Sequence, residues 1–479
     1  MNKPESARVG GTIGVLAFAG IVAAVMQTVV IPLIAQFPEL LHTTASNASW
    51  VVTVTLVAAA VSTPVAGRLG DLYGKRLVLL GATVPLIVGS VVCALSSSVL
   101  PMIIGRGLQG MGAALVPVGI SLMRDVLPAE RLGSAVALLS ASLGIGAALG
   151  LPVSSAIAEF SNWRMLFWGS AVLSVLIAVA IWYVVPASPV RAPGRFDVIG
   201  AVGLGAGLVC LLLGVSKGAI WGWDSSTILG LFAAAVVSLL AWGWWELRIT
   251  DPLVDLRVTA RPTVLLTNVA SLVIGIAMYA AMLTVPQLLQ APLATGYGHG
   301  QSMLAMGLWI APSGLMMMVI SPVGARLSAA YGPKITLVAG GVVIAIGYGA
   351  LSVLMGSTWG LLIALCIANS GVGLAYGAMP SLIMSAVPIS ETASANSFNT
   401  LVRSVGTAIS AAVVGVVLSQ MSLDIGGHSV PTEAGFRTTL LIGCGVALVA
   451  AAVASTIPVR RATSEREPVE SVTPQVERV

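Results

Sequence analysis

The stretch Gly67-Arg-Leu-Gly-Asp-Leu-Tyr-Gly-Lys-Arg76 lies between two long apolar segments and decides how the rest of the sequence is interpreted. A weaker copy, Gly324-Ala-Arg-Leu-Ser-Ala-Ala-Tyr-Gly-Pro-Lys334, lies between two further apolar segments. Both copies contain Gly, Leu, Tyr-Gly and a basic end. Two such basic loops in matching surroundings predict a chain built from two related halves.

The composition excludes a soluble protein. The chain has 479 residues, of which 57% are hydrophobic and 9% are charged, whereas soluble domains are about 25% charged. Apolar runs of about 20 residues recur, and each is long enough to cross a bilayer as a helix. They lack the alternation of apolar and polar residues that is typical of a membrane barrel. The sequence therefore predicts an all-α membrane protein in contact with the lipid bilayer.

Apolar runs between polar breaks predict fourteen transmembrane spans. Their limits are near residues 11–35, 49–66, 77–97, 99–123, 133–157, 165–185, 198–215, 226–246, 263–289, 302–323, 335–355, 359–386, 394–419 and 435–457. Each basic loop then follows the second span of a six-span half. An internal repeat of this size is common in secondary transporters.

The repeat predicts four regions along the chain. They are an N-terminal six-helix bundle (1–190), an inserted helix pair (191–258), a C-terminal six-helix bundle (259–458) and a polar, disordered tail (459–479). The inserted pair has no polar residue in mid-span and has tryptophans near its ends, as is typical of lipid-facing helices. We expect it to be peripheral and to have no role in substrate binding.

The basic residues predict the orientation. With the N-terminus inside, most of the 23 Lys and Arg residues fall in cytoplasmic segments, as the positive-inside rule requires. We therefore expect a multi-pass plasma-membrane protein with both termini cytoplasmic. The net charge of +5 is explained by this bias, so it does not indicate a nucleic-acid partner.

Motifs for enzymatic chemistry are missing from the sequence. It has no phosphate-binding loop with Lys-Ser/Thr, no nucleophile elbow and no metal-ligand spacing. The four cysteines all fall in apolar runs, and the three histidines fall in predicted outer loops. We therefore expect neither an enzyme nor an ATP-driven pump, and no cofactor or metal.

Four motifs resemble those of the major facilitator superfamily, and within it the fourteen-helix drug:proton antiporters. They are the loop signature at 67–76, Ala48-Ser-Trp-Val-Val-Thr53, Arg106-Gly-Leu-Gln-Gly-Met-Gly112 and Trp163-Arg-Met-Leu-Phe-Trp168. The resemblance implies two six-helix bundles plus two inserted helices. It also implies export of amphipathic small molecules by alternating access, driven by protons.

Two departures weaken the inference of proton antiport. Where the family has Asp before Gln-Thr in span 1, this chain has Met26-Gln27-Thr28. In span 5, the family pattern of Gly-Pro followed by a Gly pair is replaced by Gly150-Leu-Pro-Val-Ser-Ser155. The remaining acidic candidates for proton coupling are Glu39, Glu159 and Glu246, all near span ends.

The basic loops are candidates for gating. Asp71 is expected to dock on the positive end of a helix in the other half, and the loop glycines would permit close approach. The alternative is an ordinary positive-inside loop. The predicted gating residues are Gly67, Arg68, Gly70, Asp71, Gly74, Lys75, Arg76, Arg326 and Lys334.

Two arginines fall inside spans, where burying a charge costs at least ~2.5–3.5 kcal/mol. Arg106 is predicted to face a central cavity, although its side chain could instead reach the interface by snorkelling. For Arg403 the two interpretations remain equally open. The resemblance implies that spans 1, 4, 9 and 12 line the cavity. The substrate-binding candidates are therefore Met26, Gln27, Arg106, Gln109, Tyr279, Met282, Gln287, Asn369, Tyr376, Met379 and Arg403.

Small residues recur at every fourth position in span 5 (Ser142, Gly146, Gly150 and Ser154) and in span 13 (Ser404, Ala408 and Ala412). The predicted helix-packing residues of span 5 are Gly146, Gly150 and Pro152. This spacing favours close helix packing, and the resemblance implies that both spans lie at the interface between the halves.

Three functions remain possible from the sequence. The first is a proton-coupled exporter of amphipathic small molecules. The second is an exporter of an anionic or neutral amphiphile, because Arg106 and Arg403 have no acidic residue in mid-span to balance them. The third is a sensor or assembly partner that transports nothing.

Overall fold

The computed structural model describes residues 3–30, 33, 36–425 and 428–458. Fourteen of the helices in these ranges are long and apolar enough to cross a membrane, which confirms the predicted fold class. They are α1 (Lys3–Thr28), α2 (Trp50–Tyr73), α3 (Lys75–Leu95), α4 (Val99–Val126), α5 (Ala129–Phe160), α6 (Arg164–Val184), α7 (Val198–Trp221), α8 (Ser226–Glu246), α9 (Pro262–Gln290), α10 (Met303–Tyr331), α11 (Pro333–Leu354), α12 (Thr358–Ala386), α13 (Thr392–Gln420) and α14 (Glu433–Ser455). The predicted disordered tail, 459–479, lies outside the described residues.

One of these helices is interrupted, and one connection between helices contains paired strands. α4 consists of Val99–Gly110 and Leu115–Val126, joined by a 3-10 turn at Met111–Ala114. Between α13 and α14, the strand Ser422–Ile425 pairs antiparallel with His428–Pro431. This hairpin was not predicted from the sequence.

The stretch 67–76 is largely helical rather than a loop, which corrects the sequence prediction. α2 continues to Tyr73, and α3 begins at Lys75. Only Gly74 leaves helical geometry, with φ of +107°, a region that glycine adopts without a Cβ clash. The second copy behaves alike, since Gly332 has φ of +89° between α10 and α11. We define the membrane side that carries residues 67–76 as the Asp71 side.

The two predicted halves meet through two seams, which the predicted repeat would relate to each other. The second helix of each half packs against the fifth helix of the other, so α2 contacts α13 and α5 contacts α10. In the α5–α10 seam, a Cβ added to Gly144 would lie 2.7 Å from the Gly314 carbonyl oxygen. Such backbone approach requires small residues on both helices.

Spans 5 and 13 do lie at the interface between the halves, as predicted, but the small-residue stripe of α5 packs within its own half. A Cβ at Gly146 would lie 2.4 Å from the Ile21 carbonyl oxygen, and one at Gly150 would overlap Thr28. Both glycines therefore pack on α1 of the same half. Pro152 does lie at the interface between the halves, within 3.1 Å of a Cβ built on Gly307. Spacing in sequence identifies a stripe but does not identify its partner helix.

The inserted pair is less peripheral than predicted. α7 packs against α2 and α13 at one of the two seams, while α8 packs mainly on α7. α7 extends past the predicted end at residue 215 and therefore includes Lys217, which is fully buried. The Lys217 ammonium donates to the Ser49 hydroxyl at 2.6 Å and lies 4.3 Å from the Trp50 ring centre. This contact fixes α7 to the beginning of α2.

Candidate transport site

Asp71 connects the two halves directly. Its side chain is fully buried at the end of α2. One carboxylate oxygen accepts the Ala393 amide at 3.1 Å, and the other accepts the Ser394 amide at 2.8 Å. These amides belong to the first turn of α13, where backbone donors lack helical partners and the helix dipole is positive. The carboxylate thus satisfies two such donors and complements the dipole. We call this contact the Asp71 latch; its role in gating remains a prediction.

Lys75 balances the charge of the latch. Its ammonium lies 2.6 Å from a carboxylate oxygen of Asp125 and 3.6 Å from one of Asp71, and all three side chains are buried. The Ser188 hydroxyl also donates to Asp125. A buried charge is stable only when it is paired and hydrogen-bonded, and here one lysine serves carboxylates from α2 and α4.

The three glycines of this stretch contribute unequally. A Cβ at Gly67 would lie 2.5 Å from the Ser397 hydroxyl oxygen and 2.7 Å from the Ala393 carbonyl oxygen, so α13 leaves no space there. At Gly70 the nearest atom is 3.5 Å away, which is an ordinary contact. Gly74 supplies the turn. Close approach of the halves therefore depends on Gly67.

Arg124 adds a second contact between the halves that sequence reasoning missed. From the end of α4, its guanidinium donates to the Thr392 hydroxyl at 2.7 Å and to the Val387 carbonyl at 3.3 Å. In the sequence, Arg124 is recognisable only as an arginine beside Asp125 near the end of a span. Any arginine that follows the positive-inside rule has the same position, so the sequence does not distinguish Arg124 from the others. Arg124 and Asp71 together close the α2–α13 region on the Asp71 side.

The other predicted gating residues lie outside this contact. The Arg76 guanidinium donates to the Trp182 carbonyl and lies over the Trp182 ring. Arg326 is exposed and Lys334 half-buried, and neither is within ion-pair distance of a described carboxylate. The position in the second copy that corresponds to Asp71 is Ala329. The second copy therefore reproduces the turn without the latch.

Arg106 is buried in the N-terminal half with 2% of its surface exposed. Its guanidinium donates to the Met26 carbonyl at 3.0 Å and to the Gln109 carboxamide oxygen at 2.7 Å. Gln109 in turn donates to the Ser90 hydroxyl at 2.8 Å. No described carboxylate lies within ion-pair distance of Arg106. Among the described residues, the Arg106 guanidinium is thus hydrogen-bonded to neutral groups of α1 and α4, and Gln109 links it to Ser90 of α3.

Three predicted substrate-binding residues share one cavity. Met26, Gln27 and Gln109 line a space between α1, α2, α3 and α4. Arg106 does not line this cavity but hydrogen-bonds to two residues that do. The cavity is about 20 Å³, which is room for about one water molecule. Because drug-sized ligands need ~300 Å³ or more, its walls must separate before such a ligand can enter.

The predicted residues of the C-terminal half are more dispersed. The Arg403 guanidinium lies 4.5 Å from the centre of the Tyr376 ring, a cation–π contact between α13 and α12. Asn369 donates to the Ser313 hydroxyl at 2.9 Å. Tyr279 and Met282 are half-buried on α9.

Two predicted substrate-binding residues of this half are placed away from a cavity. Met379 is fully buried, and its sulfur accepts from the Ser271 hydroxyl in the core. Gln287 is exposed and donates to the Leu283 carbonyl one turn back in its own helix.

None of the three acidic candidates for proton coupling lines the α1–α4 cavity. Glu39 and Glu159 are exposed. Glu246 is buried at the end of α8, where it accepts from the Trp242 indole at 2.7 Å. It therefore belongs to the inserted pair.

Comparison with protein families decides the classification. The family model described as Major Facilitator Superfamily matches residues 16–411 and, in a second match, residues 269–476. The chain belongs to the major facilitator superfamily. Members of this superfamily are membrane transporters rather than enzymes, and the fourteen-helix architecture fits that membership.

Curated relatives include exporters. An uncharacterised MFS-type transporter of Mycobacterium tuberculosis is 30% identical over 407 residues, covering 84% of this chain and 58% of the relative. The tetracenomycin C resistance and export protein of Streptomyces glaucescens is 29% identical, covering 80% of this chain and 71% of the relative. The multidrug transporter protein MdtP of Bacillus subtilis is 25% identical, with 79% and 69% covered. The chain thus spans only 58% of the length of the mycobacterial relative.

The fold is also found in solved structures. The crystal structure of the human organic anion transporter MFSD10 superposes with a TM-score of 0.65 at 15% identity, covering 95% of this chain and all of the other. At 15% identity, this similarity supports a shared fold alone.

Proposed function

We propose that this chain is a secondary transporter of the plasma membrane that exports amphipathic small molecules by alternating access. The observation that carries the proposal is the Asp71 latch, which joins the halves at one side of the membrane through two backbone hydrogen bonds. The names of the Streptomyces and Bacillus relatives, an antibiotic exporter and a multidrug transporter, support the substrate class.

The proposed orientation places the Asp71 side in the cytoplasm together with both termini. The present structure then corresponds to a state closed towards the cytoplasm. Loading of substrate requires the Asp71 carboxylate to leave the amides of α13, and the Arg124 guanidinium to leave Thr392. Both contacts consist of a few hydrogen bonds, so they can break and re-form during each transport cycle.

Proton antiport is the energy source that the family resemblance implies. No described carboxylate lines the α1–α4 cavity. We therefore propose that proton coupling uses the two buried carboxylates Asp71 and Asp125. Opening of the Asp71 side would expose both to water, where they can take up or release protons.

The test is transport by purified protein in proteoliposomes. Ethidium accumulation would be followed with and without an imposed pH gradient. The proposal expects accumulation that depends on the protein and increases with the gradient. Equal rates in the two conditions would refute antiport, and no protein-dependent accumulation of any amphiphile tested would refute export.

A second candidate function is export of an anionic or neutral amphiphile. Its support is the buried Arg106, which has no described carboxylate within ion-pair distance. An uncompensated buried cation favours anions and disfavours lipophilic cations. The test measures transport of one neutral dye in the presence of an anionic or a matched cationic naphthalene derivative, and compares how strongly each inhibits it. Stronger competition by the cation would exclude this second candidate.

A further inference from the structure

A second and larger cavity lies on the Asp71 side, behind the latch. Its volume is about 210 Å³, several times the ~30 Å³ share of one water molecule. Its walls come from α2, from the first turns of α9 and α13, and from the two segments that flank the inserted pair. This cavity shares no lining residue with the α1–α4 cavity.

Arg68 is the cation in the wall of this cavity, and it lies close enough to Glu391 and Asp71 to interact with them electrostatically. Only 7% of its surface is exposed. Its Nε has no hydrogen-bond partner, and no described carboxylate lies within ion-pair distance of its guanidinium. A guanidinium offers five N–H donors, and leaving buried donors unsatisfied is unfavourable. Water or a ligand in the cavity can supply the acceptors that Arg68 lacks among the described residues.

A second buried donor lines the same space. Asn268 at the beginning of α9 is 5% exposed, and its amide nitrogen has no hydrogen-bond partner among the described residues. Its carboxamide oxygen is already occupied by the Asn399 amide at 2.8 Å. Arg68 and Asn268 thus form the donor part of the cavity wall, and they come from different halves of the chain.

The remaining charged wall residues are acidic. Asp251, Asp255 and Glu391 line the cavity, and none of them forms an ion pair with a described residue. Asp251 and Asp255 each accept backbone amides through one oxygen, and the other oxygen of each carboxylate has no hydrogen bond from a described residue.

We propose that this cavity binds a small zwitterion that carries a primary ammonium and a carboxylate. The carboxylate accepts hydrogen bonds from the Arg68 guanidinium, and the ammonium donates hydrogen bonds to the acidic wall; Asn268 lies behind Arg68, with an amide nitrogen that is fully buried. A simple anion would face three carboxylates, and a simple cation would leave the guanidinium unsatisfied. Water can satisfy both kinds of group, but among charged ligands a zwitterion is the one that complements both the guanidinium and the carboxylates.

Such a ligand favours the closed state of the Asp71 side. Arg68 belongs to the first half and Glu391 to the second, so the complete wall exists only while the halves are together. A ligand that binds one of two states more tightly shifts the equilibrium towards that state. This conformational effect rests on the proposed alternating-access function, whereas binding itself does not.

Isothermal titration calorimetry on the purified full-length protein tests binding. The probes are ω-amino acids from glycine to 5-aminopentanoate, with pentanoate and pentylamine as singly charged matches of the longest. We expect at least one zwitterion to bind at least tenfold more tightly than either single ion. Equal binding of zwitterions and single ions, or no binding by any, would overturn the proposal.

Variants separate the two parts of the site. Arg68→Gln should weaken zwitterion binding at least tenfold, and Glu391→Gln should weaken the zwitterion while leaving pentanoate unaffected or improved. Arg195→Gln is the matched control, because Arg195 is exposed and does not line the cavity. If Arg68→Gln does not fold, the Glu391→Gln comparison alone decides. Equal loss in the control, or unchanged binding in Glu391→Gln, contradicts the assignment.

Spin labels at Leu77→Cys in α3 and Ile389→Cys before α13 test closure, since both positions are exposed and belong to different halves. Saturating zwitterion should increase the short-distance population across the Asp71 side at least threefold. Binding by calorimetry without any shift in distance would remove the conformational effect and leave the site. A shift towards longer distances would overturn the argument that the wall requires the closed state.

Discussion

Asp71→Asn is the substitution that examines the latch most directly. The carboxylate accepts two backbone amides, at 3.1 Å and 2.8 Å, at the N-terminus of α13. Hydrogen bonds to a charged group contribute ~1.5–3 kcal/mol each, and neutral ones ~0.5–1.5 kcal/mol. The asparagine keeps one acceptor oxygen and presents an NH₂ group to the other amide, which then lacks an acceptor.

The closed state should therefore be destabilised by about 2 kcal/mol. One hydrogen bond to a charged acceptor becomes a bond to a neutral acceptor, and one backbone donor is left unsatisfied. At ~1.4 kcal/mol per tenfold change in an equilibrium constant, the closed-to-open ratio falls about 30-fold. The neighbouring Lys75 keeps its 2.6 Å contact with Asp125, so the substitution does not leave a buried lysine without a partner.

The assay measures the distance between spin labels attached to cysteines at positions 77 and 389 by pulsed electron paramagnetic resonance. Asp71→Asn should move the distribution towards longer distances on the Asp71 side. The control is Asp224→Asn in the exposed connection between α7 and α8, which should leave the distribution unchanged. A parental distribution in Asp71→Asn would refute the reasoning that these two hydrogen bonds hold the halves together.

Three further predictions concern Gly67 at the latch, Arg106 beside the α1–α4 cavity and Lys217 in the inserted pair. Gly67→Ala places a Cβ 2.5 Å from a hydroxyl oxygen of α13 and should destabilise the closed state by ~1–3 kcal/mol, whereas Gly70→Ala, with its nearest neighbour at 3.5 Å, should match the parent in the same distance measurement. Arg106→Gln removes the buried charge, so the transport ratio of anionic to cationic amphiphiles should fall at least tenfold; an unchanged ratio would separate Arg106 from selectivity. Lys217→Met loses the hydrogen bond and the contact with the Trp50 ring, and its thermal midpoint in detergent should fall by several degrees; a parental midpoint would show that the inserted pair is held by apolar packing alone.

Two features could be predicted from the sequence because they depend on local residues. They are the number of spans and the kind of group that Asp71 contacts, a helix N-terminus. Apolar length fixes the number of helices, and an acidic residue among basic ones near a span end indicates a helix N-terminus as partner. The helical state of residues 67–73 could not be predicted, because the charges suggest a solvated loop until Asp125 and the α13 amides are seen to satisfy them.

Other features of the site depend on which helix lies opposite, and sequence spacing does not contain this information. Gly146 and Gly150 face α1 rather than the other half, although their four-residue spacing is equally compatible with both. Met379 lies in the core although it has the same character as Met26, which lines a cavity. That no described carboxylate lies within ion-pair distance of Arg68 could be found only from the positions of the surrounding side chains.

Alternating access is the central claim, and one measurement on two labelled pairs tests it most directly. The pair Leu77 and Ile389 reports on the Asp71 side, and Ser98 with Leu293, both exposed, reports on the opposite side. In nanodiscs, with and without a transported amphiphile, the account predicts opposite changes: when one pair lengthens, the other shortens. Distances that change together on both sides, or that stay fixed while substrate is transported, would contradict it.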